Sequence, residues 1–143
     1  SMNYLKKKLT FEPSICYEAI FQTFNSQKIR LFINITNDAW FGNTTGPIQH
    51  LTASIFRSVE KGVPLVRSAN SGISVITNSD GKILEILDLN KDGYLESEIT
   101  LGNNLTFFMK NQGIILPLLI ISLLLLNFVI DYIIKKRKSL KIL

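Results

Sequence analysis

The alternation of apolar and polar positions changes character several times along the chain, and each change marks an element. Leu9 to Ile15 reads as a short extended segment, and Pro13 argues against a central position in a hydrogen-bonded ladder. Tyr17 to Phe24 fits a short helix, with Ala19, Ile20, Phe21 and Phe24 as its apolar contacts. Leu31-Phe32-Ile33-Asn34-Ile35-Thr36 is rich in β-forming residues and predicts a strand. Asn37 to Pro47, with Gly42 and Gly46, predicts a loop. Gln49 to Lys61 is the clearest amphipathic helix: Leu51, Ile55 and Val59 recur at i, i+4 and i+8 with Phe56 beside them, and Gly62 follows as a stop. Pro64 to Ala69 and Gly72 to Thr77 predict two strands. The turn Asn78-Ser79-Asp80-Gly81 leads into a hairpin strand over Lys82 to Leu87. Gly93 to Thr100 predicts a weaker strand, and Leu101 to Asn111 a connector.

The pattern then stops alternating. Gly113 to Ile134 is apolar on every side and carries no charge before Asp131. As a helix these residues would span about 33 Å, enough to cross a hydrocarbon core of about 30 Å. Pro117, Ser122 and Asn127 interrupt the run in a way that membrane helices tolerate. The expected division is therefore a soluble domain over 1–111, a transmembrane helix over 112–134 and a basic tail over 135–143. About five strands and two helices are few for an independent layered domain, so further layers are expected to complete it.

Charge sharpens this division. The net charge is +5, and Lys135, Lys136, Arg137, Lys138 and Lys141 supply all of it, because the remaining chain holds 11 basic and 11 acidic residues. A basic cluster after a membrane span marks the cytoplasmic side and puts the soluble part on the opposite face. The apolar block next to these lysines accounts for them, and a nucleic-acid partner is not expected. The basic start, Met2 to Lys8, runs into a polar, Pro-containing stretch rather than an apolar core, so no export signal is expected there. The three Asn-x-Ser/Thr sequons, at Asn34, Asn43 and Asn104, are read as chance.

Candidate chemistry centres on Cys16, the only cysteine, which excludes a disulfide within the chain. A lone cysteine can be a small, inert core residue. Here, though, it stands between a predicted strand and a predicted helix. A thiol at a helix N-terminus feels the macrodipole and unpaired backbone N–H groups. Both favour the reactive thiolate, and the N–H groups lie where an oxyanion would develop.

Ile15-Cys16-Tyr17-Glu18 resembles the nucleophile motif of the nitrilase superfamily in its apolipoprotein N-acyltransferase branch. Asn34-Ile35-Thr36-Asn37-Asp38-Ala39-Trp40-Phe41-Gly42 is very similar to a signature of that branch, and Thr45-Gly46-Pro47 with Gln49-His50 continues it. Arg57-Ser58-Val59-Glu60, Pro64-Leu65-Val66-Arg67, Asn70-Ser71-Gly72-Ile73-Ser74 and the Asp80-Gly81 turn follow in family order. The apolar helix with its basic tail is similar to the family's last membrane span.

This resemblance implies an α/β fold, the C-terminal half of a nitrilase-like α-β-β-α sandwich followed by one transmembrane helix, in a bacterial inner membrane with the soluble part periplasmic. It implies ping-pong acyl transfer. A phospholipid is the acyl donor, a Cys16 thioester the intermediate, and the N-terminal amine of an apolipoprotein the acceptor. No metal or soluble cofactor is implied. Cys16 would be the nucleophile, Tyr17 and Glu18 would shape the site, and Trp40 and Asn37 would lie near the substrate. Packing for Trp40 and a turn role for Asn37 and Asp38 remain equal alternatives. Glu60 is read as a structural ion pair.

The family's catalytic glutamate and lysine precede the cysteine in segments that these residues do not match. Glu12 and Lys6 to Lys8 do not replace them, and His50 falls at a position with no base role. The expectation is an isolated piece without activity unless an upstream polypeptide supplies both groups. Two other readings stay open: a soluble C–N hydrolase, and a single-span membrane protein that only packs or binds.

Overall fold

The computed structural model describes residues 9–22, 29–103 and 105–140. It contains two compact units, Ser1–Met109 and Lys110–Leu143.

The first unit is built on one five-stranded mixed sheet in the order β1-β2-β3-β4-β5. The strands are β1 (Phe11–Ile15), β2 (Leu31–Asn37), β3 (Leu65–Asn70), β4 (Ser74–Thr77) and β5 (Ile83–Leu87). β1, β2 and β3 run parallel, with Ile15 opposite Ile35 and Asn37 opposite Asn70. β3, β4 and β5 form an antiparallel meander. Pro13 is tolerated because β1 lies at the sheet edge. The β4–β5 turn closes as its sequence predicts: Asn78 Oδ1 accepts the N–H groups of Asp80 at 3.0 Å and Lys82 at 2.8 Å.

The crossover from β2 to β3 is helix α1 (Gly46–Lys61). It starts three residues before the predicted Gln49, because Pro47 has the right φ for a first turn and needs no N–H partner there. It ends in a Schellman motif. Gly62 adopts φ 68°, its N–H reaches Val59 O at 3.0 Å, and the Val63 N–H reaches Ser58 O at 3.1 Å.

Packing of α1 corrects the expected apolar stripe. The buried positions are Pro47, His50, Leu51, Ser54, Ser58 and Lys61, while Val59 and Phe56 are exposed. Of the three predicted stripe residues only Leu51 belongs to the core, together with Ala19, Phe32, Val63, Leu65 and Val75; Ile55 packs at its margin. The helix therefore lays a polar ridge on the sheet, held by hydrogen bonds and one buried charge pair. The opposite sheet face carries Phe11, Ile15 and Ile35 largely exposed. This is one sheet with one covering helix, half of the layers of a sandwich.

Two further sequence expectations need correction. Tyr17 to Phe24 is not an α-helix; Cys16–Ile20 forms a five-residue 3₁₀ turn, and Phe24 lies outside the described residues. Gly93 to Thr100 forms no strand.

The second unit belongs to helix α2 (Phe107–Leu140), which runs through Pro117 without a break. Its 34 residues reach about 51 Å at 1.5 Å each. The segment Phe107–Lys136 is long and apolar enough to cross a membrane, wider than the predicted 112–134. Ser122 and Asn127, which interrupt the apolar run, bond back to their own helix: Ser122 Oγ donates to Leu119 O at 2.8 Å and Asn127 Nδ2 to Leu123 O at 3.0 Å.

Candidate active site

Cys16 is the first residue after β1 and adopts φ 50°, the left-handed region that L-residues with a Cβ avoid. That conformation costs about 1–2 kcal/mol and persists only where the surroundings impose it. The thiol is partly exposed. Among the described residues no hydrogen bond reaches it. Five residues of 3₁₀ turn carry too little aligned dipole for the macrodipole effect expected from a longer helix. The sharp bend itself is what presents the sulfur at the end of β1.

The turn is held from both sides of Cys16. On one side, Glu18 Oε2 accepts the Ile15 N–H at 2.7 Å. On the other, His50 Nε2 lies 3.1 Å from the Cys16 carbonyl oxygen. His50 therefore addresses the backbone of the cysteine.

Beneath His50 lies a buried polar network. Asp38 Oδ1 is 2.8 Å from His50 Nδ1 and accepts the Thr36 hydroxyl at 3.0 Å. Asp38 Oδ2 accepts from Arg67 Nη2 at 2.7 Å. Arg67 also donates to Ser54 Oγ at 3.0 Å, to Asn34 Oδ1, and through Nε to Ile73 O at 3.3 Å. Asn34 Nδ2 passes the chain of contacts to Ser14 O at 3.1 Å, one strand away and two residues before the cysteine. Asn34, Asp38, His50, Ser54 and Arg67 are all buried. Burial lowers the Arg67 pKa, while the charge and hydrogen bond of Asp38, and then the charge of an ionised Cys16, raise it. A buried guanidinium this fully hydrogen-bonded is tolerable where a bare one would not be.

The sequence-predicted residues fall around this core at different distances. Tyr17 is exposed, with its ring 6.2 Å from that of His50 and 6.0 Å, edge-on, from that of Phe21. Tyr17, Ile20, Phe41, Gly46, Gln49 and His50 line a cavity of about 210 Å³. Trp40 stands 83% exposed on the turn after β2. Asn37 is engaged within its loop, where Oδ1 accepts the Ala39 N–H at 3.2 Å and Asn70 Nδ2 at 3.1 Å. Glu60 pairs with Arg57 at 2.9 Å. Glu12 forms an ion pair with Lys61, whose ammonium also sits 4.6 Å from the centre of the Phe32 ring. Lys6 to Lys8 lie outside the described residues. Among the described residues no group of three or more His, Cys, Asp or Glu side chains could hold a metal ion.

Sequence reasoning missed the network of Asn34, Ser54 and Arg67. Its signal was present: His50, Ser54, Ser58 and Lys61 recur at intervals of four, four and three, a polar face as regular as the apolar one.

The site is thus a five-stranded mixed sheet with one helix on its face and a strained cysteine directly after the edge strand. The carbon-nitrogen hydrolase family profile matches residues 7–103, and the chain belongs to that family. It is 41% identical over 133 residues to a protein named apolipoprotein N-acyltransferase from Rickettsia bellii (strain RML369-C), covering 90% of this chain and 27% of that protein. It is 38% identical over 135 residues to the protein of the same name from Rickettsia prowazekii (strain Madrid E), covering 91% and 27%. With the one from Rhizobium etli (strain CIAT 652) the identity is 45% over 94 residues, covering 64% and 18%. The chain thus spans about a quarter of the length of the Rickettsia relatives.

Proposed function

We propose that the chain is the C-terminal part of an apolipoprotein N-acyltransferase. Cys16 attacks the ester carbonyl of a phospholipid acyl chain. The C–O bond breaks, a lysophospholipid leaves with a proton, and a thioester remains on the sulfur. The α-amino group of a diacylglyceryl-lipoprotein then attacks the thioester; an amide forms and the thiol is regenerated. A thioester suits this exchange because it stores the acyl group in a form that amines attack readily.

The observation that carries the reading is the strained, partly exposed Cys16 at the end of β1, in a chain about 40% identical along most of its length to proteins of that name. Tyr17 and Glu18 shape the turn, and Trp40, standing free on its loop, contacts lipid or lipoprotein beside Asn37. The general base, a glutamate, and the lysine of the family's triad come from outside these 143 residues, on an upstream polypeptide. The open sheet face bearing Phe11, Ile15 and Ile35 suits packing against that polypeptide. The basic end of α2 is cytoplasmic and the sheet periplasmic, by the bias of positive charge toward the cytoplasm.

The test is peptide mass analysis of membranes in which the chain is co-expressed with the upstream part of a Rickettsia relative. A single acyl adduct on the Cys16 peptide is expected, removed by neutral hydroxylamine and absent in Cys16→Ser. No adduct, or ammonia release from small amides in its place, would overturn the reading. A thioester on the chain expressed alone would overturn the assignment of base and lysine to a separate segment.

A further inference from the structure

The structure assigns His50, with Asp38 behind it, as a positioning residue that locks the backbone of Cys16 in its bent conformation. The inference rests on Cys16 being the nucleophile but adds a residue to which sequence reasoning gave no role. His50 meets the peptide and not the sulfur: its Nε2 is 3.1 Å from the Cys16 carbonyl oxygen. A carbonyl can only accept, so Nε2 carries the proton. At the other nitrogen two neighbours compete. Asp38 Oδ1 lies at 2.8 Å and Arg67 Nη2 at 3.3 Å. The ring is therefore held between a carboxylate and a carbonyl.

The carboxylate cannot drift. Thr36 and Arg67 donate to its two oxygens, the Asp38 N–H anchors the backbone to Asn70 O at 2.9 Å, and the residue is 1% exposed. A fixed ring fixes the Cys16 carbonyl, and because the peptide is planar and trans it also fixes the Tyr17 N–H, which points the opposite way, away from His50. Tyr17 is the second residue of its turn, so that N–H has no acceptor within the turn. Release of the carbonyl would let Cys16 relax to negative φ, swinging both the sulfur and this N–H.

The test measures alkylation of Cys16 by iodoacetamide in the full chain in detergent micelles, from pH 6 to 9. His50→Leu fills the space without donating and should slow alkylation at least fivefold at every pH. His50→Gln can still donate to the carbonyl and should stay within about threefold of wild type. A merely structural role would not separate the two variants at equal melting temperature. His50→Leu within twofold of wild type, His50→Gln as slow as His50→Leu, or acceleration in His50→Leu would overturn the assignment. A second measurement needs no variant. His50 is the sole histidine, so ¹⁵N-histidine labelling reports it alone. A proton on Nε2 protected from exchange is expected at neutral pH, and an unprotonated Nε2 would overturn the assignment. Failure of wild-type Cys16 to alkylate at all would sink its reading as nucleophile; normal wild-type alkylation with any of the overturning results sinks the role of His50 alone.

Discussion

Gly72 presses its backbone against the side chain of Asp38: a Cβ at Gly72 would lie 2.5 Å from Asp38 Oδ2 and 2.8 Å from Asp38 Cβ. The β3–β4 connection thereby forms the wall behind the carboxylate that holds both Arg67 and His50. Gly72→Ala should cost about 1–3 kcal/mol through overpacking, read as a lowered melting temperature. An unchanged melt would show that the wall yields.

Asp38→Asn removes the counter-charge of a buried guanidinium. Breaking a buried pair on one side costs about 3–5 kcal/mol, because the other charge stays behind uncompensated. Denaturation should show a loss of that order, while Asn37→Ala, which removes only exposed hydrogen bonds at the end of β2, should lose far less.

Ser58 runs against this trend. Its hydroxyl is fully buried and, among the described residues, has no hydrogen-bond partner. Ser58→Ala should leave stability unchanged or raise it by up to about 1 kcal/mol, since it removes an unsatisfied group and improves helix propensity. A loss above 1 kcal/mol would reveal a hidden partner.

Glu60 gives a pH signature. Burial raises its pKa above the usual 4.5, outweighing the nearby charges of Arg57 and Lys61. The folded state therefore holds this proton more tightly than the unfolded state. Stability from Glu60 is fully present below 4.5 and is lost as pH rises through the higher folded value. Glu60→Gln should flatten stability against pH over that interval. A slope unchanged by the substitution would refute the assignment.

The strands were legible because β-branched runs such as Leu31 to Thr36 meet the requirement of a pleated, buried surface locally. The predicted strand at Gly93 to Thr100 shows the limit. Leu95, Ser97 and Ile99 do alternate as half-buried positions, but no ladder forms, and pairing depends on a neighbouring edge that period alone does not encode. The helix expected from Tyr17 fails for a related reason: Ala19 and Ile20 sit in a turn whose shape is set by the bend at Cys16 and the bond to His50, 34 residues from Cys16. That Cys16 directly follows a strand was readable. The Asn34–Asp38–His50–Arg67 cluster was not, because its members come from β2, the turn after it, α1 and β3 and meet only after the sheet has formed.

Helix α1 touches β1 near both its ends. Lys61 grips Glu12, and eleven residues earlier His50 grips the Cys16 carbonyl. Eleven helical residues rise about 16 Å; the four strand steps from Glu12 to Cys16 advance about 13 Å. The two lengths nearly match, so helix and strand act as the rails of a short ladder with ionic and hydrogen-bonded rungs. The start of β1 and the bend that carries the sulfur are thus tied to one and the same helix.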